Sequence, residues 1–187
     1  MKKLIFILLA GLVVLASCAS NRVESEKPAV SKKKNSFDEK KYASWILHET
    51  EFDGATLKVR VPDENWVFQE PKLKISSATV VAVIVAPENI GNVVVTSEPN
   101  VQNLSMEDFM EVGLAQLKLV YPDLKILERQ NDSYSFVVTQ YGKELKMRQK
   151  IIMSQRLIFC ITQTFVAENA SDIEKVLFDV VEGIQVE

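Results

Sequence analysis

Gly142-Lys143-Glu144-Leu145-Lys146-Met147-Arg148-Gln149-Lys150-Ile151 is the stretch on which the fold turns. A turn signal at Gly142-Lys143 opens a run in which Leu145, Met147, Gln149 and Ile151 alternate with Lys146, Arg148 and Lys150. Period two marks a strand, because successive side chains leave opposite faces of a sheet. The run before the turn, residues 134–141, is rich in Tyr, Phe and Val, so the two runs form a hairpin. Further strand-like runs flank the pair at 124–129 and 157–166, and four in succession with short links make an antiparallel meander.

Upstream, the period changes to that of a helix. Ser105 stands as N-cap, with Asp108 three residues on, close to a capping box. Met106, Phe109, Met110, Gly113, Leu117 and Val120 keep the spacing of one buried face. Tyr121-Pro122-Asp123 ends the helix, since proline cannot continue it. Before it, residues 79–86 are a continuous apolar run expected of a strand covered on both faces, followed by 93–96 across a Gly91-Asn92 turn. Residues 45–51 and 56–61 read as a hairpin around Asp53-Gly54, stopped by Pro62-Asp63. At the other end, Ser171 with Glu174 in capping-box register starts a helix that buries Ile173, Val176, Leu177, Val180 and Ile184. The fold class is α+β, a mostly antiparallel β-sheet with helices packed on it.

The chain is 187 residues long, 47% hydrophobic and 25% charged, which is ordinary for one globular domain with a tail. Its net charge of −3 argues against nucleic acid as a partner. Two cysteines and one histidine are too few for a disulfide scaffold or a histidine-built metal site. The first residues read as a targeting signal: Lys2 and Lys3, then an apolar run over 4–15 that is too short to span a bilayer. Small residues at Ala16 and Ser17 let a peptidase approach the bond before Cys18, whose thiol is the one group there able to take a lipid. Residues 19–41 are polar and poor in aromatics, a flexible tether with an r.m.s. reach of about 25–30 Å. Its Lys32-Lys33-Lys34 triplet reads as a solvated spacer, with contact to anionic headgroups as the alternative. The chain therefore divides into a signal peptide (1–17), a flexible tether (18–43), which the resemblance given next implies is lipidated, and a folded domain (44–187).

Leu15-Ala16-Ser17-Cys18 resembles the lipobox of bacterial lipoprotein signals. The resemblance implies cleavage after Ser17, diacylglycerol on the Cys18 sulfur and N-acylation of the new terminus. No other cofactor is expected. More than one acyl chain anchors stably, at about 0.8 kcal/mol per buried CH₂. Ala19, where an Asp resembles an inner-membrane retention signal, implies the outer membrane in a cell with two membranes, and otherwise the outer face of the plasma membrane. With Lys2 and Lys3 cleaved away, 20 basic residues face 25 acidic ones, a net charge of −5.

Within the domain, Leu57-Lys58-Val59-Arg60-Val61-Pro62-Asp63-Glu64-Asn65-Trp66 is similar to the opening of PsbP-like and DcrB-like domains. So are Ser105-Met106-Glu107-Asp108-Phe109, the block from Tyr121-Pro122-Asp123 to Leu127, the strands around Gly142-Lys143-Glu144-Leu145, and the close at Gly183-Ile184-Gln185-Val186. The likeness covers roughly residues 45–187 and implies an α/β/α-type sandwich. Its members include accessory subunits of membrane complexes, envelope lipoproteins, and chaperones of apolar segments in exported proteins. No shared catalytic residues come with it, and the metal-linked histidines of PsbP find no counterpart beyond His48.

The residues themselves offer little chemistry. Cys160 lies within Leu157-Ile158-Phe159-Cys160-Ile161 and reads as a buried small hydrophobe rather than a nucleophile. His48 reads as structural, Trp66 as a packing residue, and Glu107/Asp108 and Asp63/Glu64 as cap and turn acids. The cations Lys146, Arg148 and Lys150 share one strand face and are the candidate docking strip for an acidic partner or lipid headgroups, with an ordinary solvent-facing strip as the alternative. The expected function is an envelope lipoprotein, anchored to the bilayer through Cys18, that binds an envelope protein without catalysis. A chaperone-like module with an exposed apolar groove is the alternative. An enzyme would need a pocket gathering His48 or Cys160 with perturbed acids.

Overall fold

The computed structural model describes Lys40, residues 42–154 and residues 156–187. Strands β8 (Ser133–Gln140) and β9 (Lys143–Ser154) form the hairpin read from the alternation, closed by the pair Gln140 and Lys143. The two loop residues are Tyr141 and Gly142, at φ 51° and 73°. Two positive φ values in a row match the right-handed twist of the flanking strands, which places the turn one residue earlier than Gly142-Lys143.

The other strands are β1 (Ile46–Phe52), β2 (Ala55–Val61), β3 (Val67–Gln69), β4 (Leu73–Ile75), β5 (Ala78–Val85), β6 (Gly91–Pro99), β7 (Lys125–Arg129), β10 (Leu157–Val166) and β11 (Gln185–Val186). Eight of the eleven make one antiparallel sheet, ordered β3-β5-β6-β10-β9-β8-β7 with β4 also paired to β5. The remaining three form a small sheet, β1-β2-β11, with Asp53 and Gly54 turning β1 into β2 at φ 50° and 81°. The fold is α+β, as the periodicities require.

Alternation along β10 separates the two faces of the large sheet. Ile158 and Cys160 meet the central helix (Met106–Val120) through Phe109, Met110, Leu114 and Leu117, together with Phe136 and Met147. Leu157, Phe159, Ile161 and Phe165 meet the C-terminal helix (Ala170–Glu182) through Ile173, Leu177, Val180 and Val181, with Leu57, Val59 and Val61 of β2 closing the same core. The layers are therefore helix, sheet, then helix beside a second small sheet.

Several local expectations are corrected. Gly91-Asn92 is not a turn: the chain reverses at Pro87–Asn89, where Glu88 and Asn89 take φ 56° and 58°, and Gly91 begins β6 opposite Phe165. A Cβ on Gly91 would stand 2.6 Å from Leu177 Cδ1, so glycine lets the C-terminal helix approach the sheet. That helix starts at Ala170 after a 3₁₀ turn, which puts Ser171 inside its first turn rather than at the cap. On the central helix the buried stripe runs through Leu114, while Val120 is exposed. Strands β3, β4 and β11 are too short to show a period.

Candidate functional site

Lys146, Arg148 and Lys150 do share a face of β9, but it is the face under the C-terminal helix. Arg148 Nη2 binds Glu182 Oε1 at 2.6 Å, Lys150 Nζ binds Glu182 Oε2 at 2.8 Å, and Lys146 Nζ reaches Glu174 Oε2 at 3.4 Å. The guanidinium also stacks over Phe178, 4.3 Å from the ring centre. Side chains of Arg148 and Lys150 are 11% and 13% exposed. Burial raises the Glu182 carboxyl, but the hydrogen bonds and charges of Lys150 and Arg148 outweigh it and hold the group below its ordinary value. The candidate docking strip is thus an ion-pair network that fastens helix to sheet, because its acidic partner is supplied by the chain itself.

Cys160 is buried, and burial pushes its thiol up to about 12, against the opposing hydrogen bond from Thr162. A neutral thiol in the core is a packing group, as read from its apolar neighbours. Beside it, the Tyr134 hydroxyl donates to Gln149 Oε1, and Gln149 Nε2 donates to Thr162 Oγ1 at 3.1 Å. This polar chain satisfies groups that the sheet buries. His48 stacks on Phe68 with ring centres 4.4 Å apart, and Trp66 is buried in the core of the C-terminal helix. Among the described residues no three His, Cys, Asp or Glu side chains gather around a common metal position.

Two features escaped the sequence reading. At the end of β6, Glu98 is only 8% exposed and lines a cavity of about 200 Å³ between the β4–β5 turn and the start of the central helix. Ser77 Oγ donates to Glu98 Oε2 at 3.0 Å. Burial raises the Glu98 carboxyl, and the Ser77 bond only partly offsets it. Asn100 holds the cavity's rim: its side chain bonds both the carbonyl and the N–H of Leu104, at 3.0 and 2.8 Å. The second feature is a pair of exposed apolar side chains on neighbouring segments. Leu119 and Tyr141 are 82% and 78% exposed, at the end of the central helix and in the β8–β9 turn. The two segments are tied together where the Thr139 N–H donates to Asp123 Oδ2 at 2.7 Å. Hydrogen bonds from the Thr139 side chain and from its backbone N–H hold the Asp123 carboxyl below its ordinary value. Neither feature has a one-dimensional signal, since each gathers residues from separate elements.

Ser17 and Cys18 lie outside the described residues. No helix among the described residues is long and apolar enough to cross a membrane.

No family model matches the chain, and neither does any curated protein. Among solved structures it is similar to cyanobacterial PsbP (CyanoP) from Synechocystis, with a TM-score of 0.51 at 11% identity over 75% of this chain and 92% of that one. It is also similar to LpqN of Mycobacterium tuberculosis, described as involved in cell envelope biogenesis, with a TM-score of 0.50 at 13% identity over 78% and 94% of the two chains. At such identities the likeness is one of architecture: the domain has the α+β fold of the PsbP-like proteins.

Proposed function

We propose that this chain is a bacterial envelope lipoprotein, anchored through lipidated Cys18, whose domain acts as a non-catalytic accessory module for a protein partner. The observation that carries the reading is the exposure of two large apolar side chains, Leu119 and Tyr141. Leu119 and Tyr141 present large apolar surface on segments fixed by the Asp123–Thr139 bond. An exposed aromatic on a rigid turn is the kind of anchor that dominates protein interfaces. The lipobox-like residues Leu15-Ala16-Ser17-Cys18 supply the anchor, and the tether over 19–41 lets the domain reach a complex in the same membrane. The envelope role of LpqN, which shares the fold, agrees with that location. By the Ala19 signal, the membrane is the outer one where a cell has two, and otherwise the outer face of the plasma membrane.

Crosslinking mass spectrometry on intact cells tests this. The native lipoprotein is expected to crosslink to one stoichiometric membrane-complex partner near residues 119 and 141. The crosslinks are lost with Cys18→Ala and with Leu119→Ser/Tyr141→Ser. A scatter of exported proteins joined through apolar segments would instead identify a chaperone.

A further inference from the structure

We propose that the Glu98 cavity is a binding site for an alkylammonium group, of the kind carried by a lysyl side chain. It is independent of the exposed Leu119 and Tyr141 and of the lipid anchor.

Glu98 is 8% exposed, and Ser77 is the carboxylate's one hydrogen-bond partner among the described residues, reaching only Oε2. Among the described residues no Lys, Arg or His lines the cavity. A buried carboxylate is ordinarily paired with a cation or saturated by donors, because removing it from water without compensation is strongly unfavourable. Elsewhere in this molecule that rule is obeyed: Glu182, the other well-buried acid described here, is held by both Arg148 and Lys150. At Glu98 the counter-charge is missing and an opening takes its place.

The cavity specifies the rest of the ligand. Its floor is apolar, formed by Phe109 of the central helix and Ile158 of β10, with Leu104 beside them. One cationic head on a short hydrocarbon stem matches a carboxylate above an apolar floor. About 200 Å³ equals the liquid volume of roughly six or seven waters, smaller than the roughly 300 Å³ at which cofactor and drug-sized pockets begin. The site therefore suits a single side-chain-sized group. Its walls are pre-set by the paired Asn100–Leu104 bonds and by the Asn100 N–H on the Arg156 carbonyl at 2.8 Å. Little ordering is left for binding to impose.

The groups facing Glu98 are Ser77 from the β4–β5 turn, Phe109 from the central helix and, from β10, Cys160, whose thiol the Glu98 charge pushes further up. None competes for a proton near neutral pH. Ammonium binding requires the ionised carboxylate, so affinity falls as pH drops through the raised Glu98 value, by about tenfold per pH unit below it.

The test is an NMR titration of the full mature chain, kept in solution by Cys18→Ala, with n-butylammonium against its neutral analogue n-butanol. Saturable shifts at Ser77, Asn100 and Phe109 are expected at about millimolar ligand, with n-butanol at least tenfold weaker. Glu98→Gln should abolish the preference for the cation. The wild-type pH series reads the same carboxylate without any substitution, should that variant fail to fold. Blocked lysine (Nα-acetyl-lysine N-methylamide) and putrescine separate the two sources of the group: tighter blocked lysine assigns a partner's side chain, and tighter putrescine a small free amine. Equal binding of butylammonium and butanol, an affinity that does not fall with acid, or absence of saturable shifts overturns the proposal.

Discussion

Gly91 shows how one residue sets the distance between two layers. An added Cβ would meet Leu177 Cδ1 at 2.6 Å and the Thr164 carbonyl at 3.2 Å. Because Thr164 O belongs to the strand backbone, the Leu177 side chain is the group that must give. Gly91→Ala is expected to destabilise by about 1–3 kcal/mol, the usual range for overpacking. In urea melts the loss should be less than additive with that of Leu177→Ala, since the second change removes the clashing atoms. Glu182 is the other decisive residue, since it pairs with two cations whose side chains are 11% and 13% exposed. Glu182→Gln leaves both without a carboxylate and should cost about 3 kcal/mol, the lower end for a buried pair that loses a member. The folded carboxyl lies below its unfolded value, so its stabilisation is complete above the unfolded value and is lost as pH falls through the folded one. Wild-type stability should decline over that acidic interval, and the variant's acid limb should be flatter in melts run against pH. The alternation on β9 made the three cations visible as a set. It carried no information about which element would cover them, because Glu174 and Glu182 are 28 and 32 residues away from Lys146 and Lys150.

Elements whose ends carry local chemistry follow the sequence closely. Ser105 caps the central helix as expected: its Oγ accepts from the Asp108 N–H at 3.1 Å and donates to Asp108 Oδ2 at 2.7 Å. Ser105→Ala should therefore lower stability by about 1 kcal/mol in urea melts, without changing the slope of the transition. The same signal misled at Ser171, where a 3₁₀ turn at Ala167–Asn169 carries the chain into a helix beginning at Ala170. A capping residue marks a helix end only when the chain approaches it extended, and here the approach is already coiled. Glycine signals divide in the same way. Gly54 and Gly142 have positive φ and open space where a Cβ would stand, so they serve turns, whereas Gly91 serves packing. Both roles write the same letter. The short strands β3, β4 and β11 form because a neighbour offers an open edge: the Thr56 N–H donates to the Glu187 carbonyl at 2.9 Å, and the Thr56 carbonyl accepts from the Glu187 N–H at 3.0 Å.

At the scale of the molecule, the large sheet buries apolar side chains on both faces, and each face is closed by a different helix. This leaves the outward-facing residues as the ones available to a partner. Leu119 and Tyr141, at 82% and 78% exposure, contribute little to the core. The Leu119→Ser/Tyr141→Ser pair should therefore leave the melting curve within about 0.5 kcal/mol of wild type per site while removing the crosslinks. A melt shifted well beyond that would show that these two side chains support the fold, and the proposed interface would have to be sought elsewhere.

What the sequence determined by itself is everything written in local period and local chemistry: strands from period two, the central helix from its stripe and cap, the β1–β2 and β8–β9 hairpins to within a residue, and the α+β class that follows. These signals are legible because each depends on neighbours within a turn or a pair of strands. The tertiary structure alone decided which face of β9 lies beneath a helix, why Gly91 is a glycine, and how a single acid at the end of β6 comes to be buried beside a cavity with no cation among its described lining residues. Those features depend on which elements meet, and meeting is settled by the burial of two whole sheet faces rather than by any one stretch of chain.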